Sequence, residues 1–210
     1  MKKYVIMGVQ GSGKGTQAKR LCDDYDLVHI SVGDIFRWHI QAHTKLGAKV
    51  RRGIEGGNLV EDDIVQEVVS ERLEEHDWNY GFVLDGFPRN KAQAVFFIEK
   101  YDIDAVIHLD VSDDVVMKRV LSRRLCSKCG LDYNLFYHRP KVDGVCDVCG
   151  GRLVQRADDN EAAVRKRMKD YHEGTEPAIA VMGKKEQVIK VDASKDSAEV
   201  QRLIREGLGI

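Results

Sequence analysis

The stretch Gly8-Val-Gln-Gly-Ser-Gly13-Lys14-Gly15-Thr16 limits the possible folds of this chain more than any other. It follows a short apolar run, Tyr4 to Gly8, and opens a helical pattern, KGTQAKRLCDDY. Strand, glycine loop and helix are the context in which G-x-x-x-x-G-K holds phosphate. Glycines let successive backbone N–H groups converge on phosphate oxygens, at the positive end of the following helix. Gly11, Ser12, Gly13 and Gly15 line that cradle. Lys14 supplies a point charge between transferring phosphates, and Thr16 sits near the phosphates or magnesium. A glycine-rich turn with a solvated lysine would need neither flank. The loop specifies a nucleoside triphosphate, but GTPases, ATPases, motors and small-molecule kinases all share it.

Four further apolar runs resemble the first: LVHIS (27–31), GFVLD (81–85), DAVIHLDV (104–111) and QVIKVD (187–192). Helical patterns lie between them. EDDIVQEVVSERLEE has apolar positions at Ile64, Val65, Val68, Val69 and Leu73, and VSDDVVMKRVLSRRL places acids first and arginines last, as the helix dipole prefers. Strands alternating with helices imply an α/β fold with a parallel sheet covered on both faces, so a three-layer fold of the phosphate-loop NTPase type. Residues 126–155 break the alternation and read as a small inserted module, with a long helix resuming at Asp158 and running to about Met182. Residues 32–61 read as helical but carry Gly47, Gly53, Gly56 and Gly57, the pattern expected of a mobile flap.

Composition excludes several classes. Lys plus Arg (33) nearly cancels Asp plus Glu (34), which argues against a protein held on nucleic acid by bulk charge. No apolar run approaches the ~20 residues of a membrane span, and MKKYVIMG has too few apolar residues for a signal-peptide core. A cytoplasmic protein that does not meet the membrane is expected. There, cysteines favour metal ligation or burial over disulfides.

Cys126, Cys129, Cys146 and Cys149 form C-x2-C-x16-C-x2-C. The spacing lies inside the zinc-site range, and four thiolates make a closed, structural tetrahedral site with no position left for water. Iron also takes four thiolates, and four buried thiols without metal are the bland alternative. A module this small needs a staple, which structural Zn2+ would supply. Cys22, apart in the first helix, reads as a core residue.

GKGTQ, followed by ISVGDIFR (30–37) and GFVLDGFPRNKAQA (81–94), resembles the adenylate kinases. GNLVEDDIV, RRLCSKCG, PKVDGVCDVCGG, QRADDNEAAVRKR and VDASKD match as well, in the family's order, from Gly8 to about Val200. The resemblance is to the zinc-binding, long-lid type. It implies reversible transfer of the terminal phosphoryl group from MgATP to AMP, giving two ADP, by a monomer. The expected parts are a core (1–31, 62–125 and 156–210), an AMP-binding flap (32–61) and a zinc-binding lid (126–155). By that similarity Arg37 and Arg89 hold the AMP phosphate, while Arg123, Arg156 and Arg167 converge on the transferring phosphates beside Lys14, with Arg156 and Arg167 also reaching AMP. Bidentate arginine suits that task, because two polyphosphates repel each other. Arg119 stacks on the ATP base, Asp132 and Tyr133 contact ATP from the lid, and Lys195 meets the ATP base through its backbone. Gln93 reads the adenine of AMP, and Gly86, Phe87, Pro88 and the backbone of Asn58, Leu59 and Val60 line its pocket. Asp85 and Asp34 orient water on Mg2+, and Asp158 and Asp159 organise the arginines.

The chain departs from the family pattern in places. Val32 stands where threonine is usual, removing a hydroxyl from the AMP pocket and predicting a weaker monophosphate site. Gln10 stands where proline or alanine is common and is expected to alter loop stiffness more than chemistry. Asn134 replaces a histidine, and His138-Arg139 precedes Pro140 where a proline pair is expected. Three other readings remain: a kinase for another nucleoside monophosphate, to which Val32 lends weight; a zinc-knuckle protein on nucleic acid; and an inactive nucleotide sensor.

Overall fold

The computed structural model describes residues 2–77 and 79–210; Met1 and Trp78, both in the expected core segments, lie outside the described residues. Five strands form one parallel sheet: β1 (Lys3–Gly8), β2 (Leu27–Ser31), β3 (Gly81–Asp85), β4 (Ala105–Asp110) and, last in the chain, a strand at Val188–Asp192. The spatial order is β2, β3, β1, β4 and then the Val188–Asp192 strand, with Val5 opposite Leu84 on one side and Val106 on the other. The runs of the three central strands, β1, β3 and β4, are buried almost throughout because both faces are covered. Tyr4 and Ile6 of β1 pack with Leu21, Val83 and Ile107 on one face, and Val5 and Met7 pack with Phe82, Leu84 and Phe97 on the other. That alternation is the two-residue period of a strand.

Helix α1 (Lys14–Tyr25) joins β1 to β2. From β2 the chain passes through α2 (Val32–Gln41), α3 (Lys45–Glu55) and α4 (Asp62–Glu74) to β3, then through α5 (Lys91–Lys100) to β4. Connections leave β1 and β3 in opposite directions, so the crevice beyond their carboxyl ends is a topological switch point, where α/β sheets bind ligands. Gly8 and Asp85 end the two strands that flank it.

Helix α6 (Asp113–Leu121) leads to a second, antiparallel sheet of β5 (Arg123–Cys126), β6 (Asp132–Asn134) and β7 (Leu153–Val154), with β5 central. The inserted module is therefore a three-stranded sheet that starts at Arg123, slightly before the expected boundary. The helix stops because the Ser122 hydroxyl donates back to Lys118 O (2.6 Å) and Asn134 Nδ2 donates to Arg119 O (3.0 Å). Four buried side chains form its core: Cys126, Tyr133, Cys146 and Leu153.

Helix α7 (Glu161–Asp170) follows, capped by the Asn160 side chain rather than beginning at Asp158. A π-turn (Tyr171–Thr175) joins it to α8 (Glu176–Met182), which leads to the last strand, β8 (Val188–Asp192), and to α9 (Ser197–Leu208). In the 32–61 segment, one of the glycines has a packing reason. A Cβ on Gly47 would stand 2.1 Å from His39 O, so only glycine lets α3 lie this close to α2.

Candidate active site

Gly8, Gly11 and Gly13 all have positive φ (151°, 83° and 99°), which bends the loop after β1 until Gly13 caps α1. Lys14 curls over that loop, and its Nζ donates to Gly8 O (2.8 Å) and Val9 O (2.9 Å). Burial pushes the Lys14 pKa down to about 8; Arg89, Arg123 and Arg167 add to the effect, against Asp85. Ser12 is buried with its hydroxyl unpartnered, and Thr16 is exposed on the first turn of α1. Asp85 Oδ2 would lie 3.7 Å from a Cβ on Gly15 and is 3.6 Å from His29 Nε2.

Five arginines from distant parts of the chain form one cluster beside this loop: Arg89, Arg123 and Arg167 act on Lys14, Arg37 acts on Arg89, and Arg123 and Arg37 act on Arg156. They fall into two groups. Three are paired. Arg123 grips Asp159 with two bonds, Nε to Oδ2 (2.8 Å) and Nη2 to Oδ1 (2.5 Å). Burial alone would lower the Arg123 pKa, but the fully buried Asp159 beside it raises it. Arg167 on α7 pairs with Asp158 (2.7 Å) and donates to Ile54 O (3.2 Å). Burial would raise the Asp158 pKa, but Arg167 overrides it and holds the carboxyl below its usual value. Arg37 on α2 donates to Asp34 Oδ1 through both Nε (3.1 Å) and Nη2 (2.5 Å).

Two arginines are poorly compensated. Arg89 donates from Nε to Gly86 O (2.9 Å), and among the described residues it has no ion pair. Burial pushes its pKa down to about 10, and Arg167 is the strongest like charge acting on it. Arg156 has only Asp132 at 3.8 Å and a buried, unpartnered Nε; burial, then Arg123 and Arg37, lower its pKa to about 10. Gly33 and Gly86 bring Arg37 and Arg89 to one place, since a Cβ on either would meet the arginine that follows it, at 3.2 Å and 3.5 Å.

The remaining expected residues are distributed around this cluster. Val32 begins α2, is 3% exposed and packs with Phe36. Phe87 and Pro88 are buried, with Phe87 edge-on to Phe97. Gln93 is also buried: its Oε1 accepts from Arg89 N (2.8 Å) and its Nε2 donates to Asp62 Oδ1 (2.7 Å). Lys166 on α7 donates to Asn58 Oδ1, beside the partly buried Leu59 and Val60. On the other side, Arg119 donates to the carbonyls of Ala193 (2.8 Å), Ser194 (3.3 Å) and Lys195 (3.4 Å), with its guanidinium over the Tyr137 ring. Asp132 lies between Lys19 (3.7 Å) and Arg156. Tyr133 turns its side chain into the inserted module: its ring stacks on His138, and its hydroxyl donates to Cys146 Sγ (3.5 Å) and accepts from Asp147 N (2.8 Å).

Two participants escape sequence reading. Asp62 orients Gln93 from 31 residues away, and no local pattern signals it. Gln10, expected to alter loop stiffness more than chemistry, donates from Nε2 to Asp159 Oδ1 (3.2 Å), the same oxygen that Arg123 Nη2 uses.

All four Sγ atoms of Cys126, Cys129, Cys146 and Cys149 lie within 4.8 Å of one another. Cys126 and Cys149 are 3.3 Å apart, and Cys129 and Cys146 are 3.7 Å apart. A tetrahedral ion with ~2.3 Å metal–sulfur bonds requires edges of about 3.8 Å, so this donor set fits a metal ion. Both knuckles close alike, Gly130 N donating to Cys126 O (3.0 Å) and Gly150 N to Cys146 O (2.9 Å).

A glycine loop at a helix N-terminus, at the switch point of a parallel sheet and ringed by arginines, defines a phosphoryl-transfer enzyme of the phosphate-loop class. The sequence model of the adenylate kinase family matches residues 6–187. The chain is 44% identical over 211 residues to the adenylate kinase of Thermosipho africanus, spanning 98% of this chain and 97% of that one. It is 42% identical over 210 residues to the adenylate kinase of Bacillus subtilis, again spanning 98% and 97%. The adenylate kinase of Treponema denticola is 43% identical over 196 residues, 93% of this chain and 94% of its own. The chain belongs to the adenylate kinase family, and its activity is phosphotransfer from ATP to AMP, giving ADP.

Proposed function

We propose that the loop at 8–16 carries the polyphosphate of ATP, that Arg37 and Arg89 hold the phosphate of AMP, and that the terminal phosphoryl group passes between them under Lys14, Arg123, Arg156 and Arg167. The observation that carries this reading is the uneven pairing of the arginines. Arg89 and Arg156 are desolvated cations without adequate counter-charge, and Lys14 is a third. Unpaired buried charge is costly, and two phosphate groups would relieve it. Phosphoryl transfer asks for this kind of positioning and neutralisation more than for covalent help.

The carboxylates divide their work accordingly. Asp158 and Asp159 keep Arg167 and Arg123 aimed without cancelling the cluster. Mg2+ bound with ATP supplies further neutralisation, and Asp85 beside Gly15 is the side chain suited to orient its waters. Arg119 and the carbonyls it gathers around Lys195 form the ATP-base side, with Asp132 and the Tyr133 backbone above. Gln93 is locked by Arg89 and Asp62 so that the second hydrogen of its Nε2 remains for adenine. Residues 32–61 act as the AMP flap and 126–155 as the lid, stapled by zinc on its four cysteines. The family resemblance implies a monomer, and cysteines free of disulfides suit a cytoplasmic enzyme.

A coupled assay with AMP, CMP, UMP and GMP tests the reading. AMP should exceed the others by at least ~100-fold in kcat/KM, because a hydrogen-bonding site leaves groups unpaired with the wrong base. Comparable rates with another monophosphate would favour the alternative kinase. Val32→Thr, measured alongside, should lower the KM for AMP about fivefold by restoring one hydrogen bond.

A further inference from the structure

The helix that carries Arg167 is interrupted by the π-turn Tyr171–Thr175, in which Glu176 N donates to Tyr171 O. Wide turns of this kind are rare and recur at functional sites. Here the effect is rotational. Each α-helical residue turns the chain by about 100°, so an unbroken helix would set Thr175 about 80° away from Arg167 around the axis. With one residue absorbed in the wide turn, the separation falls to about 20°, and Thr175 returns to the face of Arg167.

On that face the turn meets the backbone of Arg89. Thr175, 9% exposed, donates from Oγ1 to Arg89 O at 3.0 Å. A Cβ on Gly174 would stand 2.9 Å from the same oxygen, so glycine is what lets the turn come this close. The Arg89 N–H is held from the other side by Gln93 Oε1 (2.8 Å). The turn itself is anchored away from Arg89: the Tyr171 hydroxyl lies 2.8 Å from His108 Nε2 on β4, and His172 bridges Asp113 (3.1 Å) and Glu176 (3.2 Å).

We propose that Thr175 is a positioning residue for Arg89, and that the π-turn ties this arginine to the helix bearing Arg167 so that two mutually repelling guanidiniums keep one separation. The inference rests on the reading of Arg89 as the arginine that holds the AMP phosphate. The Thr175 hydroxyl is spent on the Arg89 carbonyl, so its removal should act on the AMP side of the reaction only.

Steady-state kinetics of Thr175→Val and Thr175→Ser test it. The valine variant keeps the shape and loses the donor, so its kcat/KM for AMP should fall about five- to tenfold while the KM for ATP stays within about twofold. Serine restores the donor and should keep both parameters within about twofold of the parent. Unchanged AMP parameters in Thr175→Val, a serine variant as impaired as the valine one, or an equal rise in the KM for ATP would overturn the proposal. Should Thr175→Val not fold, Gly174→Ala presses on the same carbonyl and takes its place, with the same AMP-specific loss expected and its absence equally fatal. Arg89→Ala separates the two levels. If it leaves the KM for AMP unchanged, the reading of Arg89 fails and the proposal with it; if it abolishes AMP use while Thr175→Val matches the parent, the positioning role alone fails.

Discussion

The phosphate crevice and the cysteine lid each crowd chemically alike groups together, but they tolerate it differently. In the crevice, guanidiniums gathered from Arg37 to Arg167 rest on a sheet buried on both faces, and Asp34, Asp158 and Asp159 already neutralise three of them. The lid places four cysteines around one point, over a core of four buried side chains, two of which are themselves cysteines. No cation from the protein pairs with these sulfurs among the described residues. The crevice therefore has a fold that survives without its ligand, and phosphate supplies function. On the proposed reading, the lid depends on a metal for its structure. The difference follows from size: a module this small buries too little apolar surface to offset chain entropy alone.

Metal removal tests the comparison most severely. Structural zinc in small domains contributes on the order of 10–16 kcal/mol, so chelation should unfold the lid and leave the parallel sheet intact. Hydrogen exchange read by mass spectrometry should show protection lost across Arg123–Val154 and kept in the buried strands Lys3–Gly8 and Gly81–Asp85. A stripped enzyme with an unchanged melting temperature and a protected lid would end the stapling idea.

Asp159→Asn asks whether the crevice really carries its own counter-charge. It removes a buried carboxylate gripped twice by Arg123 and leaves that guanidinium unpaired. Breaking one partner of a buried pair costs about 3–5 kcal/mol, which urea denaturation would read directly. Activity should fall too, since Arg123 loses its aim and Gln10 loses the carboxylate oxygen it also holds. A stability change below ~1 kcal/mol would place this pair with ordinary exposed ion pairs and weaken the contrast with the lid.

Much of this was legible in the residues and some was not, for definite reasons. The central runs at 4–8, 81–85 and 104–111 read as buried strands because parallel strands covered on both faces stay apolar along their length. Helix α1 was readable to the residue because the glycine loop dictates its start. The Arg123–Cys126 strand was not, since SRRL continues a helical pattern and the Ser122 hydroxyl ends it at Leu121 together with Asn134, which arrives from another strand. The arginines could be named, yet their division into paired and unpaired could not, because Arg123 meets a carboxylate 36 residues away. Nor could the inward turn of Tyr133, which depends on Cys146 across the lid.

The smallest expected effect belongs to Lys14, and it concerns protons. Burial depresses its pKa to about 8 from an ordinary 10.5, with Arg89, Arg123 and Arg167 lowering it further and Asp85 alone opposing them. A lysine with a depressed pKa binds fewer protons folded than unfolded between those two values. Its charged form therefore costs stability fully below pH 8, and the cost fades as pH rises from 8 toward 10.5. Polyphosphate reverses the balance, because an anion beside Lys14 favours the protonated amine. Binding of MgATP at pH 8.5 should then draw about three-quarters of a proton from the buffer, and at pH 6.5 almost none, given a free pKa of about 8. Titration calorimetry in buffers of differing ionisation enthalpy measures this uptake directly. Equal heats in every buffer at pH 8.5 would mean that the carbonyls of Gly8 and Val9 already keep Lys14 charged. The loop would then stand further from the lid, its lysine secured by the protein before any ligand arrives.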